Sequence, residues 1–244
     1  ASGKLASIQR EGKLVVYTDP NFYPFEFPGT EGIEGVDVEI AKAIAAELGV
    51  TPEFLESKFD AIITSLKDGK GDIAISGITI TEDRKRNVDF SEPYINSIQY
   101  LILPAGSARA AIEDLAGKKI GVAKGYTGSL LINDEINKED GALFGKGSSF
   151  TEYPSAMEAV LDLLNGKNDA VIMDEYVAKS IVSTRAELIA IELTYADGVV
   201  AAEEYGVAVP KGNANLLEKI NITIRRLKEA GLVKEWVLQY SAVG

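Results

Sequence analysis

One stretch of this sequence is unusually rich in groups that could hold a small charged molecule: Ile75-Ser-Gly-Ile-Thr-Ile-Thr-Glu-Asp-Arg84. An apolar run enters Gly77, where a missing side chain lets a ligand approach the backbone. Thr79 and Thr81 are suited to cap a following helical turn with Glu82 and Asp83 in its first positions. Arg84 projects from that turn. Open amide N–H groups beside a guanidinium form a seat for a carboxylate. Read alone, the same residues also describe a capped turn with a solvent-facing arginine.

Other chemistry is excluded by composition. The 244 residues contain no His and no Cys. There is therefore no Ser-His-Asp triad, no imidazole acid or base, no thiolate nucleophile, no disulfide and no Cys- or His-ligated metal. The Asp, Glu and Gly positions at 68, 72, 89, 203–204 and 141–149 show neither metal-ligand nor phosphate-loop spacing, and the acidic ones read as surface charge. A net charge of −12 argues against nucleic acid or an anionic membrane as partner. No apolar run approaches the length of a membrane span, and the N-terminal Ala-Ser-Gly-Lys carries no signal-peptide core.

The elements that must position these residues alternate between strand and helix patterns. Strands are predicted at Leu14–Tyr17, Ile73–Ile75, Tyr100–Leu103, Ile120–Val122, Ala170–Met173 and Val207–Val209. Helical stripes are predicted at Val36–Leu48, Phe59–Leu66, Met157–Leu164, Asn215–Glu229 and around Trp236. The alternation predicts an α/β fold with mostly parallel sheets.

An internal echo sharpens this. Ile63-x-x-Leu66-x-x-Gly69-Lys70-x-Asp72-x-x-Ile75 recurs 97 residues on as Val160-x-x-Leu163-x-x-Gly166-Lys167-x-Asp169-x-x-Ile172. Gly12-Lys13, with the strand leading to Asp19, recurs 105 residues on as Gly117-Lys118, with the strand leading to Lys124. Two similarly built lobes follow, and residues just past a strand's carboxyl end are where such folds place ligand groups. That pairs Asp19 with Lys124, and Ser76-Gly77 with Met173-Asp174. Taken alone, Asp174 reads as the N-cap of a helix starting at Glu175.

The segment Ser76-Gly-Ile-Thr-Ile-Thr-Glu-Asp-Arg-Lys-Arg-x-Val-Asp-Phe-Ser91 with Pro93-Tyr94 resembles the signature of the polar amino-acid-binding proteins of bacterial ABC importers. The likeness extends over Asp19–Phe27, Gly35–Ile40, Phe59–Ile62, Gly117–Gly128 and Asp174, and in motif it is nearest to glutamine-binding proteins. It implies two Rossmann-like α/β lobes of the type II periplasmic-binding-protein kind: residues 1–94 with 206–244, and 99–200. Residues 95–98 and 201–205 would be hinge strands.

It further implies that Arg84 takes the ligand carboxylate with amides near Thr79 and Thr127 or Gly128. Asp174, the Gly77 carbonyl and the Thr79 hydroxyl would take the ammonium. Phe22 and Phe59 would sandwich the side chain, although by type alone both read as core, and Phe22, in an Asn/Pro-rich loop, reads as the harder one to bury. Asp19 and Lys124 together offer an acceptor and a donor that match a side-chain amide, hence glutamine; a plain Asp19–Lys124 salt bridge is the competing reading. Tyr126 stands where relatives carry a small residue, which leaves open a different polar or aromatic-tolerant amino acid, cystine included. A cationic amino acid is a further alternative, although Asp19 with Lys124 keeps the pocket's net charge near zero and disfavours a strongly cationic ligand. The implied role is non-enzymatic capture by a monomer in the periplasm or, as a lipoprotein, on the outer face of the membrane, with delivery to a membrane permease and no cofactor. A cyclohexadienyl-dehydratase-like lyase and an excised receptor sensor are the rivals on the same fold.

Overall fold

The computed structural model describes residues 3–108 and 110–241. The outermost residues of the expected first lobe, 1–2 and 242–244, lie outside this set. The chain divides into two α/β units, one running to Asn96 and resuming at Glu204, the other covering Ser97–Glu203.

The first unit opens with α1 (Lys4–Glu11) and β1 (Lys13–Thr18), followed by a hairpin of β2 (Phe27–Gly29) and β3 (Gly32–Glu34). Then come α2 (Val36–Leu48), β4 (Thr51–Glu56), α3 (Phe59–Lys67), β5 (Ile73–Ala74), α4 (Glu82–Lys85) and β6 (Val88–Phe90). The chain passes on through β7 (Ile95–Pro104). The second unit continues with β8 (Lys119–Ala123), α5 (Thr127–Asn137), β9 (Ser149–Tyr153), α6 (Ala156–Leu164), β10 (Ala170–Asp174), α7 (Glu175–Ser183) and β11 (Leu188–Glu192). It returns through β12 (Ala202–Tyr205) to β13 (Ala208–Pro210), α8 (Ala214–Glu229) and α9 (Leu232–Ser241).

The sheets have orders β4-β1-β5-β13-β6 and β9-β8-β10-β7-β11, with β12 against β7. In each, the strands linked by helical crossovers are parallel: β1 with β4 and β5, β8 with β9 and β10. The others run antiparallel, β13 beside β5 and β6, and β7 beside β10 and β11. Since β13 and β7 each run against both neighbours, the other four strands of each order share one direction, and the sheets are mostly parallel as expected, each with a single reversed strand in its interior. β7 and β13 are where the chain enters a unit, so no crossover within that unit sets their direction.

The helices form where apolar spacing and glycine stops coincide. In α2, Ile40, Ala41, Ile44, Ala45 and Leu48 are buried, and Gly49 ends the helix in the left-handed region at φ 69°. In α3 the buried set is Phe59, Ile62 and Leu66. The echo is structural too. Val15 N–H donates to Asp72 Oδ2 (2.8 Å) while Asp72 N–H donates to Val15 O (2.9 Å). In the second unit Lys119 N–H donates to Asp169 Oδ2 (2.8 Å) and Asp169 N–H to Lys119 O (2.7 Å). Each aspartate locks the incoming strand to its parallel neighbour.

Asp72 was expected on the surface but is buried, and it also pairs with Lys4 (3.0 Å). Asp169 is exposed. Asp72→Ala leaves a strand N–H without its acceptor away from water and should cost about 1–3 kcal/mol. Asp169→Ala, where water can substitute, should cost under about 1 kcal/mol. Urea denaturation of the two variants checks the order, and equal losses would show that burial does not set the difference.

Candidate ligand-binding site

In the first unit β1 and β5 lie side by side, with Val16 opposite Ile73 and Tyr17 opposite Ala74. Their ends therefore meet. Asp19 N–H donates to Ser76 Oγ (2.9 Å). The Asp19 carboxylate accepts from Phe59 N–H on Oδ2 (3.0 Å) and from Asn21 Nδ2 on Oδ1 (2.7 Å). It acts as an acidic cap for α3, whose own N-cap position, Lys58, supplies no side-chain acceptor.

Gly77 follows at φ 52°, its N–H donating to Asp37 Oδ2 (2.7 Å). A Cβ there would lie 2.2 Å from Phe22 Cε1. Phe22, which the sequence placed in a loop hard to bury, has 0% exposure. Its ring packs on Phe25 and Tyr205, with centroids 5.7 and 6.0 Å away. Loop backbone and core side chain coexist here because β12 brings Tyr205 to the ring.

The next residues are pinned by strand-like bonds: Gly206 N–H to Ile78 O (3.0 Å) and Ile80 N–H to Glu204 O (2.8 Å). Thr81 Oγ1 caps α4 by accepting from Arg84 N–H (3.2 Å). Arg84 is buried, not solvent-facing. Its guanidinium lies 5.3 Å from the Phe59 ring centroid, and Nη1 donates to Thr79 O (2.9 Å). Five N–H donors in a planar fork make that seating compatible with receiving a carboxylate. Asp19, Phe22, Phe59, Ser76, Gly77, Thr79 and Arg84 thus form one contiguous group.

In the second unit β8 and β10 are parallel neighbours, so Lys124 and Asp174 stand at matching strand ends. Lys124 is exposed and its N–H donates to Tyr153 O (2.8 Å). Tyr126 is buried at the N-cap position of α5, followed by Thr127 and Gly128. Asp174 is 2% exposed and occupies the N-cap position of α7, yet its side chain makes no capping bond. Instead Asp174 Oδ1 accepts from Gln99 Nε2 (2.8 Å), and β7 and β10 register places the two residues opposite each other.

The same Gln99 amide donates to Glu203 Oε1 (2.7 Å), while Thr127 Oγ1 donates to Glu203 Oε2 (2.7 Å). Glu203, read from the sequence as surface charge, is 8% exposed and belongs to this group; the correction follows from its place on β12 beside Gln99. A Cβ on Gly128 would come within 3.0 Å of Gln99 Oε1 and 2.9 Å of Ile172 Cγ2, so only glycine fits.

Four residues of these groups were not nominated for the site from the sequence: Gln99, Glu203, and the buried pair Glu26 and Asp37. The last two did leave a signal, since each is a carboxylate set between apolar neighbours, in Phe25-Glu26-Phe27 and Val36-Asp37-Val38. Among the described residues no group of acidic side chains has metal-binding geometry, and no helix is long and apolar enough to cross a membrane.

The description "Bacterial extracellular solute-binding proteins, family 3" matches residues 14–242. The L-cystine-binding protein TcyJ of Escherichia coli is 30% identical, over 95% of this chain and 84% of its own. The ABC transporter glutamine-binding protein GlnH of Bacillus subtilis is also 30% identical, over 96% and 84%. The solved structure of the amino acid ABC transporter substrate-binding protein AbpA of Streptococcus pneumoniae, bound to L-arginine, superimposes with a TM-score of 0.87 at 34% identity, covering 97% and 98% of the two chains. The nearness in motif to glutamine binders does not separate these relatives, which are named for different amino acids at similar identity. With this match over nearly its whole length, and two α/β units of the type II periplasmic-binding-protein fold, the chain belongs to the bacterial extracellular solute-binding proteins of family 3.

Proposed function

We propose that this protein captures a polar L-amino acid outside the cytoplasm and delivers it to the permease of an ABC importer. The observation that carries the reading is Arg84: a buried guanidinium, oriented by an aromatic face and a backbone carbonyl, beside the glycine-containing edge Gly77–Thr79. Such a group favours a carboxylate. Asp174 supports the other end, because a buried carboxylate that does not cap its helix suits an ammonium. The amides at Thr127 and Gly128 open α5, where an anion is favoured. Phe22 and Phe59 flank the first group, and Tyr126 borders the second.

Glutamine is the first candidate, on the acceptor and donor that Asp19 and Lys124 offer to an amide. Arginine is the second, and a specific observation favours it. Glu203 adds a second buried carboxylate beside Asp174, while both Asp19 oxygens already accept bonds within their own unit. Other cationic amino acids and cystine belong in the same comparison. Catalysis forms no part of this reading, and incubation with prephenate or arogenate should yield no aromatic product.

A thermal-shift screen of the common L-amino acids plus cystine tests the proposal. A ligand at a hundred times its dissociation constant should add about 2.7 kcal/mol to stability. Glutamine alone shifting the melt supports the first candidate, and arginine alone the second. No shift with any of them would remove the amino-acid reading.

A further inference from the structure

We propose that Glu26 is a carboxylic acid at neutral pH, donating its proton to Asp37, and that this pair is the positioning device that holds the Ser76–Gly77 edge in its ligand-accepting form. The positioning part rests on the reading above that this edge meets an amino acid.

The geometry lies within the first unit. Glu26 is 0% and Asp37 1% exposed. Glu26 Oε1 accepts from Ser76 Oγ (2.6 Å), and Asp37 Oδ2 accepts from Gly77 N–H (2.7 Å). Two consecutive residues of the edge therefore hang from two different carboxyl groups. Ser76 Oγ passes the connection on by accepting from Asp19 N–H (2.9 Å). The remaining oxygens, Glu26 Oε2 and Asp37 Oδ1, are buried without a donor among the described residues. The buried Tyr94 hydroxyl, itself without a partner among the described residues, is a donor within reach of Asp37, and a proton on Glu26 supplies the donor that two neighbouring carboxyl groups out of water still need.

The surroundings leave no alternative source of neutralisation. Neither carboxyl is paired with a Lys or Arg among the described residues. The titratable groups facing the pair are Asp19, from the segment after β1, and the Tyr94 phenol, from the segment before β7. The first adds negative charge and the second is neutral, since burial raises its own pKa well above the usual tyrosine range.

Burial first, then the Asp37 charge, holds the Glu26 carboxyl well above the usual carboxylate range. Burial also raises Asp37, to about 6, against the bonds it accepts from Glu26, Gly77 and the Tyr94 hydroxyl. The bond between the two carboxyl groups raises Glu26 and lowers Asp37, which places the shared proton on Glu26 and leaves Asp37 as the anion that grips the Gly77 amide. As pH rises through the Glu26 value, a second buried charge appears and this contribution is lost.

Glu26→Gln keeps the device without the proton: its amide donates to Asp37 Oδ1, and its carbonyl accepts from Ser76. Glu26→Ala removes it. Three measurements on the full chain decide the matter. Infrared spectra at neutral pH should show a protonated carboxyl band in the wild type that is absent from Glu26→Gln. Melting curves without ligand should separate the two proteins increasingly as pH rises, with Glu26→Gln the more stable.

Calorimetric affinities for the amino acid found in the screen should be similar at pH 7, then diverge in favour of Glu26→Gln by up to about tenfold per pH unit above the Glu26 value. Taking the ratio of the two proteins cancels the ligand's own titration. Glu26→Ala should bind at least about tenfold more weakly. No such band in the wild type, a band that persists in Glu26→Gln, a ratio that stays flat with pH, or a folded Glu26→Gln that binds as poorly as Glu26→Ala would each overturn the proposal. The infrared and ligand-free melting results stand even if no amino acid binds, so failure of the functional reading is told apart from failure of this one.

Discussion

Arg84→Ala is expected to lose amino-acid binding by two to three orders of magnitude or more while the protein still folds. Removing one partner of a desolvated, hydrogen-bonded charge pair costs about 2–5 kcal/mol, because the other charge is left without its counterpart. The fold should survive, since the capping bond to Thr81 Oγ1 comes from the Arg84 backbone N–H, which alanine retains. What alanine does forfeit is the contact with the Phe59 ring and the bond to Thr79 O, a loss of about 1–2 kcal/mol in stability.

Arg84→Lys separates charge from shape. An ammonium keeps the positive charge but cannot present a planar fork to a carboxylate or stack its face on Phe59, so binding should fall to an intermediate level. Calorimetry with the ligand identified by the screen, alongside circular dichroism, reads both effects. Binding within about threefold of wild type in a folded Arg84→Ala protein would show that the carboxylate seat lies elsewhere.

The parts of this molecule written locally were legible from sequence. The bounds of α2, Val36–Leu48, follow from an apolar stripe enclosed by Gly35 and Gly49, and the structure places them there. The echo forecast two similarly built units, and the sheet orders β4-β1-β5 and β9-β8-β10 repeat it down to the aspartate lock at residues 72 and 169. Distant packing was not legible. Glu203 and Glu204 are indistinguishable as neighbouring acids, but strand alternation on β12 turns the first onto Gln99 and the second to solvent. Asp72 looked like surface charge because nothing within a few residues shows that α1 and β1 will cover it.

The site divides the same way. Sequence spacing nominated the strand-end residues, since the chain must place them beyond adjacent strands. It could not say how Asp19 would use its carboxylate. Residue type suggested a partner for a ligand amide or for Lys124, whereas the folded unit engages both oxygens, one at the start of α3 and one on Asn21. The bond to Phe59 N–H joins residues 40 positions apart, which no local pattern shows.

Gly77→Ala should be strongly destabilising to the first unit. The residue sits at φ 52°, where a side chain costs about 1–2 kcal/mol. The added methyl would also stand 2.2 Å from Phe22 Cε1 and 2.6 Å from Phe22 Cδ1. Phe22 cannot retreat, because it is fully buried against Phe25 and Tyr205. Overpacking of this kind costs about 1–3 kcal/mol. Together the two effects predict a loss of about 2–5 kcal/mol, a fall in melting temperature of roughly 5–15 °C at this chain length.

A second variant separates the two causes. Phe22→Leu shortens the ring into a side chain that leaves room for the methyl, at its own cavity cost. In that background Gly77→Ala should cost less than in the wild type by about the overpacking share, while the backbone share persists. Urea denaturation of the four proteins gives the coupling directly. Additive losses would mean that the ring and the glycine do not constrain each other, and the close approach of Phe22 to the Gly77 backbone would lose its role in shaping the edge from which Ser76, Gly77 and Thr79 act.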